Sequence, residues 1–423
     1  MLVNKFLIGE AADAFDAVGG LEHPADSILR RFFRERPKLG RHDREFVAET
    51  LYAWLRRKRS VEHFAASQDS RSLVLATLAK AMGYSMRQLQ PFVSGREAEW
   101  IENLKSKTLA NAPVGVRLDL PDWLVERLGG TDGGADGDAG LEAFALAMLK
   151  TAPLDLRVNP MKAERDAVIA RFNAEGIKAE PTPWSPLGVR ILDKPALAKH
   201  PLFMEGAVEV QDEGSQLLCQ LVAPKRGEMV ADFCAGAGGK TLALGALMRS
   251  TGRLYAFDVS EKRLSKFGPR LRRSGLSNVH AQVIGTENDA KLKRLAGKFD
   301  RVLVDAPCSG LGTLRRNPDL TWRQSPHGID QLRVKQASIL HAASRLVKPG
   351  GRLVYATCSV LDQENREVVE EFLRKHADYH VVPAAGVLAQ QKIAVEVGEY
   401  FELSPQSHNT DGFFAAVLER AKN

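Results

Sequence analysis

Residues 229 to 258 constrain the fold of this chain more than any other stretch. Met229-Val230-Ala231 is a short run of strand formers, and Asp232-Phe233-Cys234-Ala235-Gly236-Ala237-Gly238-Gly239-Lys240-Thr241 is a glycine-rich turn. Leu242 to Met248 is helical in character, and Arg253 to Phe257 reads as a second strand ending in Asp258. A strand, a tight turn, a helix and a second strand make a βαβ unit, which commits the domain to an open α/β sheet. The turn presents backbone N–H groups at a helix amino terminus, where an anionic or polar ligand is held. An acidic residue ending the second strand, roughly 20 residues beyond the turn, is the usual grip on a ribose diol. The other use of Asp258 is to open the helix predicted from Glu261 to Ser274. An adenosine-containing cofactor is therefore expected. Lys240-Thr241 does not make a P-loop, because G-x-x-x-x-G-K-[ST] needs glycine where Cys234 stands. The nicotinamide pattern G-x-G-x-x-G is imperfect too, since Gly236 and Gly238 run directly into Gly239-Lys240.

Two cysteines stand downstream in matching surroundings. Cys308 follows Val302-Leu303-Val304 in Asp305-Ala306-Pro307-Cys308-Ser309, and Cys358 follows Leu353-Val354-Tyr355 in Ala356-Thr357-Cys358-Ser359. Each should lie just past the carboxyl end of a buried parallel strand, where open α/β sheets build their sites. A free cysteine is by default a packed, inert side chain. Two at strand ends beside a glycine turn instead suggest nucleophilic chemistry, and nothing downstream offers the catalytic pair of a hydride-transfer enzyme.

These residues resemble the Nop/Sun family of RNA cytosine-5 methyltransferases. The likeness rests on the glycine turn, on Asp305-Ala306-Pro307-Cys308-Ser309-Gly310, on Arg315-Arg316-Asn317-Pro318-Asp319 and on Ala356-Thr357-Cys358-Ser359, in the family's order and spacing across the carboxyl half. It implies a class I, seven-stranded methyltransferase sheet that uses S-adenosylmethionine, held by Cys234, Ala235, Gly236, Ala237, Gly238, Gly239, Lys240 and Asp258. The family has Ala-Pro where this chain has Gly236-Ala237, which predicts a looser turn with the same ligand. By the same resemblance Cys358 attacks carbon 6 of cytosine and Cys308 assists release. Asp305 contacts the base or the methionine end of the cofactor, and Lys240 is a candidate cation beside the attacking thiol. The adenine is expected to meet Asp289, with Thr286 or Asn288 as alternatives after the strand Val279 to Ile284. Arg315, Arg316, Asn317 and Trp322 are expected to hold the target RNA, with a packing role as the alternative.

The amino-terminal half is basic and helical. Val47, Leu51, Trp54 and Leu55 recur at helical spacing, among Arg30, Arg31, Arg34, Arg36, Lys38, Arg41, Arg44 and Arg56-Arg57-Lys58-Arg59. With a formal net charge of +7, this favours a polyanionic partner, RNA, although a solvated helix face would look the same. Gly40 to Phe64 resembles the helical RNA-binding domain of the antitermination factor NusB. Gly129 to Gly140 reads as a flexible insertion. After a helix from Leu141 to Lys150 come a strand at Leu154 to Val158, a helix at Lys162 to Glu175, and strands at Ile177 to Glu180 and Val189 to Leu192. This small module resembles the ferredoxin-like element of the Nop/Sun enzymes, which implies that Arg157 and Asn159 touch RNA. The expected domains are thus residues 1–140, 141–205 and 206–423, with Met204 to Gln216 leading into the catalytic sheet and Phe413 to Leu418 as its last strand.

The four cysteines form neither a C-x-x-C pair nor a cluster with histidine, so no metal site and no disulfide framework are expected. No apolar run approaches the ~18 residues of a membrane span, and the first residues do not read as a signal peptide. A cytoplasmic, monomeric enzyme that methylates carbon 5 of a cytosine in RNA, with rRNA as first choice and tRNA as alternative, is the reading this supports. A non-catalytic ribosome-assembly factor would not need Cys308, Cys358 and Asp305 together. Methylation of a base amino group favours an Asp/Asn-Pro-Pro-aromatic motif, which Asp305-Ala306-Pro307-Cys308 is not.

Overall fold

A computed structural model describes residues 3–129, 137–193 and 195–422. The chain divides into two compact units, Met1–Lys150 with Leu314–Pro326, and Thr151–Thr313 with His327–Asn423. Among the described residues no helix is long and apolar enough to cross a membrane.

The first unit is helical. Helix Arg41–Arg56 buries Phe46, Val47, Leu51, Trp54 and Leu55, the stripe expected from their spacing, and Trp54 stacks on Phe15 from helix Lys5–Val18 with ring centroids 4.6 Å apart. Several of the arginines are engaged within the unit: Arg36 pairs with Glu10 and Asp13, Arg57 with Asp119, and Arg59 with Asp122. Arg31, Arg34, Lys38 and Arg41 are exposed. Of the expected glycine-rich insertion, residues 130–136 lie outside the described residues, and a helix already runs over Gly137–Met148.

Leu314–Pro326 belongs to this unit, and that changes the reading of its residues. Trp322 packs against the helical core, and its indole N–H donates to the Leu55 carbonyl at 2.7 Å. Arg315, only 2% exposed, offers its own carbonyl to Arg56 at 3.2 Å. Helix Ala25–Glu35 begins after Pro24, which has no capping oxygen, and Asp319 supplies one by accepting from the Ala25 N–H at 3.2 Å. Trp322 and Arg315, expected to stack on and hold RNA, are packing residues here. Arg316 is half-buried and Asn317 exposed.

The second unit contains two sheets. In the smaller, β2 (Ala179–Pro181), β3 (Gly188–Ile191), β1 (Leu154–Val158) and β4 (Val208–Val210) lie in that order and pair antiparallel. β4 was expected to lead into the catalytic sheet but closes the edge of this one. Helix Arg165–Ala174 packs Val168 and Phe172 into the module's core. Arg157 and Asn159, expected to touch RNA, are buried; the Asn159 amide donates to the Gly206 and Ser274 carbonyls at 3.1 and 2.9 Å.

The larger sheet runs β10 (Tyr379–Val382), β12 (Phe413–Arg420), β9 (Val347–Thr357), β8 (Phe299–Asp305), β5 (Met229–Asp232), β6 (Arg253–Asp258), β7 (Val279–Val283), with a short β11 (Phe401–Leu403) also on β12. It thus has one strand more than the seven expected. β5 to β9 are parallel, and β12 is antiparallel to β9. Going from β5 the chain adds β6 and β7 on one side, then β8 and β9 on the other. The strand order therefore reverses between β5 and β8, the place where such sheets leave a crevice at their carboxyl ends.

Candidate active site

The glycine turn leaves β5 at Asp232 and enters helix Gly239–Leu247. Gly236 and Gly238 have φ of +56° and +81°, a region that suits glycine. At Gly238 a side chain would also strike the Phe267 ring, 1.9 Å from an ideal Cβ. The Asp258 carboxylate accepts from the Gly236 N–H at 2.8 Å and the Ser260 N–H at 2.7 Å, with Arg263 at 3.0 Å. Ser260, not Asp258, caps helix Glu261–Ser274, so Asp258 serves the turn. Two guanidinium groups hold the other side of the turn: Arg270 donates to the Ala237 carbonyl at 2.7 Å and Arg157 to the Gly239 carbonyl at 2.9 Å. Glu209 on β4 pairs with Arg270 and Arg273 at 2.9 and 2.6 Å. The turn expected to be loose for want of proline is tied by side chains instead.

A cavity of about 770 Å³ opens over this turn, lined by Asp232, Cys234, Ala235, Gly236, Ala237, Gly239, Lys240, Asp258, Asp305, Cys308 and Cys358. Asp289 is not part of the wall. Its carboxylate accepts from Gly285 and Lys291 N–H groups at 2.8 and 2.9 Å and caps the short helix Ala290–Lys293. The acid of this stretch that lines the cavity is Glu287, paired with Lys335 and bonded to Ser338, both at 2.6 Å. Burial opposes its charge, but these partners hold its carboxyl below the usual range. Sequence reasoning missed it by two positions, because loop length after a strand cannot be read from residue types.

The thiols meet because β8 and β9 are adjacent and parallel, with Asp305 opposite Ala356. The Cys308 and Cys358 Sγ atoms lie 3.4 Å apart. The hydrogen bond with Cys358, then burial, holds the Cys308 thiol well above its ordinary pKa. Burial does the same to Cys234, and pushes Cys219, packed in the core, up to about 12. Lys240 is 2.7 Å from the Asp305 carboxylate. Burial is the largest influence and disfavours the Lys240 charge, but the charge and hydrogen bond of Asp305 together with the nearby thiols outweigh it and keep Lys240 a cation. Asp232, beneath the turn, accepts from the Thr241 hydroxyl at 2.7 Å, and burial raises its carboxyl to about 7.

A model of the 16S rRNA methyltransferase RsmB/F family matches residues 219–419, and one of the ferredoxin-like domain of the same enzymes matches residues 120–197. The probable ribosomal RNA small subunit methyltransferase B of Synechocystis is 35% identical over 81% of this chain and 77% of its own length. The chain belongs to the RsmB/F family of rRNA methyltransferases. The ribosomal RNA small subunit methyltransferase B of Shewanella oneidensis is 34% identical over 74% of this chain and 70% of its own. Among solved structures, that of PH0851 covers 99% of this chain and all of its own, with a TM-score of 0.79 at 25% identity. The RsmB/F match spans every residue of the thiol pair, the glycine turn and the Lys240–Asp305 ion pair.

Proposed function

We propose that the protein methylates carbon 5 of a cytosine in 16S rRNA, using S-adenosylmethionine and a covalent bond between Cys358 and carbon 6 of the base. The observation that carries this is the pair of thiols 3.4 Å apart on the wall of the cavity that also contains the glycine turn. Cytosine carbon 5 becomes nucleophilic only when a thiolate adds at carbon 6.

The cofactor fits the residues present: the turn and the buried Asp258 suit a nucleoside, and Glu287 and Ile284 line the same cavity where an adenine would sit. When bound there, S-adenosylmethionine supplies an electrophilic methyl group. Cys358 adds to carbon 6, breaking the 5,6 double bond and leaving electron density on carbon 5. Asp305, ion-paired with Lys240, accepts from the exocyclic amine of cytosine, a donor that uracil lacks. Lys240 lines the same cavity as Cys358. While Cys358 is free, its contact is the first cause that keeps Cys308 protonated. Cys308, 3.4 Å from Cys358, lies where it can serve as or position the base that removes the proton from carbon 5. Loss of that proton restores the double bond as the bond from Cys358 to carbon 6 breaks.

Arg31, Arg34, Lys38, Arg41, Arg316 and Asn317 are the accessible candidates for RNA contact. Reduced thiols at the centre of the reaction suit a cytoplasmic location. Bisulfite sequencing of rRNA from a deletion strain, complemented with the wild-type gene or with Cys358→Ala, tests the reading. One 16S cytosine should lose protection in the deletion and regain it only with the wild type. Full protection in the deletion strain, or loss confined to a tRNA, overturns the assignment.

A further inference from the structure

Behind the thiols lies a carboxylate that the proposed chemistry does not use. Glu364 ends the short turn Asp362–Glu364 and is 0% exposed. One of its oxygens accepts from the Ser309 backbone N–H at 2.8 Å and from the Gln336 amide at 2.9 Å. The other accepts from the hydroxyls of Ser309 and Ser359. Ser309 directly follows Cys308, and Ser359 directly follows Cys358. Gln336 also donates to the Pro307 carbonyl at 3.0 Å, and the Tyr355 hydroxyl donates to the Glu364 carbonyl at 2.6 Å. The next residue repeats the pattern on one side, since the Asn365 amide donates to the Ser359 carbonyl at 3.2 Å. A buried carboxylate is tolerated only when hydrogen bonds replace its lost water, and here each oxygen has two donors. Three of those donors come from the two cysteine loops and the fourth, Gln336, from helix Pro326–Ser344; the strands before the loops are paired up to Asp305 and Ala356. Beyond that point the backbone link between the loops is the Gly312 N–H donating to the Cys358 carbonyl at 2.9 Å, and the side-chain links converge on Glu364.

We propose that Glu364 is a positioning residue that clasps the loops after β8 and β9 and thereby sets the separation of the Cys308 and Cys358 sulfurs. This rests on the reading of the two thiols as the reacting groups. Addition at carbon 6 and proton removal at carbon 5 occur on neighbouring atoms, so the two sulfurs must each reach one of them. A misplacement of about 1 Å is enough to cost on the order of 10²-fold in rate. The negative charge of Glu364 also favours the protonated form of Cys308, in keeping with a thiol that waits while its neighbour attacks.

The separation can be read without RNA. With 5,5′-dithiobis(2-nitrobenzoate), one protein thiolate attacks the reagent's disulfide and releases one nitrothiobenzoate. The second thiol then loses its proton to solvent and attacks the protein-bound sulfur. This closes a Cys308–Cys358 disulfide and releases the second nitrothiobenzoate, so two thiols are oxidised and one reagent disulfide is reduced. Cys308→Ala and Cys358→Ala proteins identify this second release by its loss. In Glu364→Gln it should be slowed at least about tenfold, with kcat for methyl transfer down roughly ten- to a hundredfold and KM for S-adenosylmethionine and RNA unchanged. Calorimetric affinity for S-adenosylmethionine equal to wild type shows that the variant is folded. Ser359→Ala removes a single donor and should shift both rates the same way by less, which keeps the proposal testable should Glu364→Gln not fold. Second release at the wild-type rate in a folded Glu364→Gln protein, whatever its activity, overturns the clasp. Wild-type protein that closes its thiols quickly but methylates no RNA would instead overturn the proposed function and leave the clasp standing.

Discussion

Around helices Ala25–Glu35 and Arg41–Arg56 the first unit carries much of its charge in water, whereas the cleft of the second unit encloses Asp232 and Asp258 and keeps Lys240 against Asp305. Exposed Arg31, Arg34, Lys38 and Arg41 have near-equivalent surroundings, so one can replace another in attracting a polyanion. Each enclosed group has particular partners and a perturbed or spent charge: Asp258 serves the turn, Lys240 is a fixed cation, and Asp232 is driven towards neutrality. Charge on a solvated face acts through its sum. Charge in a cleft acts through its position, because desolvation makes every unmet partner costly.

That contrast is tested most sharply at the thiols. Cys358→Ala should abolish methyl transfer and any covalent RNA adduct, and Cys308→Ala should accumulate a denaturation-resistant protein–RNA complex, as read on a denaturing gel with labelled RNA and S-adenosylmethionine. The opposite pattern would exchange their roles, and retained activity with no adduct in either would remove the covalent mechanism. The next largest effect concerns stability. The folded-state pKa of Asp232, about 7, lies above its ordinary 3.8, so between these values the folded protein holds a proton that the unfolded chain has released. The resulting stabilisation is complete below about pH 4 and is lost as pH rises through 7. Asp232→Asn should flatten that decline, as measured by thermal unfolding at pH 5 and pH 8; an unchanged pH dependence would mean that Asp232 is ionised in the folded protein.

Asp258→Ala should weaken S-adenosylmethionine binding by about 1 to 3 kcal/mol, the range for hydrogen bonds to a charged group. Calorimetry on the folded variant measures it, and wild-type affinity would confine Asp258 to shaping the turn. The smallest effects belong to the exposed face. Replacing Arg31, Arg34, Lys38 or Arg41 singly by alanine should lower the salt slope of RNA binding by about 1 each, with little change in sequence preference. Filter binding at two salt concentrations shows whether these residues meet phosphate or merely keep the helices solvated.

Several elements were legible because their cause is local. Leu154–Val158 and helix Glu261–Ser274 have the expected bounds, set by strand-forming residues and by a capped amphipathic run. The parallel sheet followed from a glycine turn between two strands, and the placement of both cysteines from the apolar runs before them. Val208–Val210 is as apolar as a strand of the larger sheet, yet it pairs with β1; strand partners depend on the path of the chain, which residue types do not encode. Asp289 and Glu287 are both acids in one loop, and only the turn geometry decides which faces the cavity. Trp322 and Arg315 have the side chains of RNA contacts but lie among the helices of the first unit, since an aromatic ring or a guanidinium serves either purpose until burial is known.

The amino-acid sequence by itself determined the α/β sheet, the turn that suits a nucleoside, and a cysteine just past the end of each of two apolar strands, because each depends on residues close together in the chain. Only the tertiary structure decided that the sulfurs approach to 3.4 Å, that Arg157 and Arg270 tie the turn, and that Glu364 bridges the two loops. Those contacts join residues from different strands and helices, and the cost of burying their charges is met only where the fold brings the partners together.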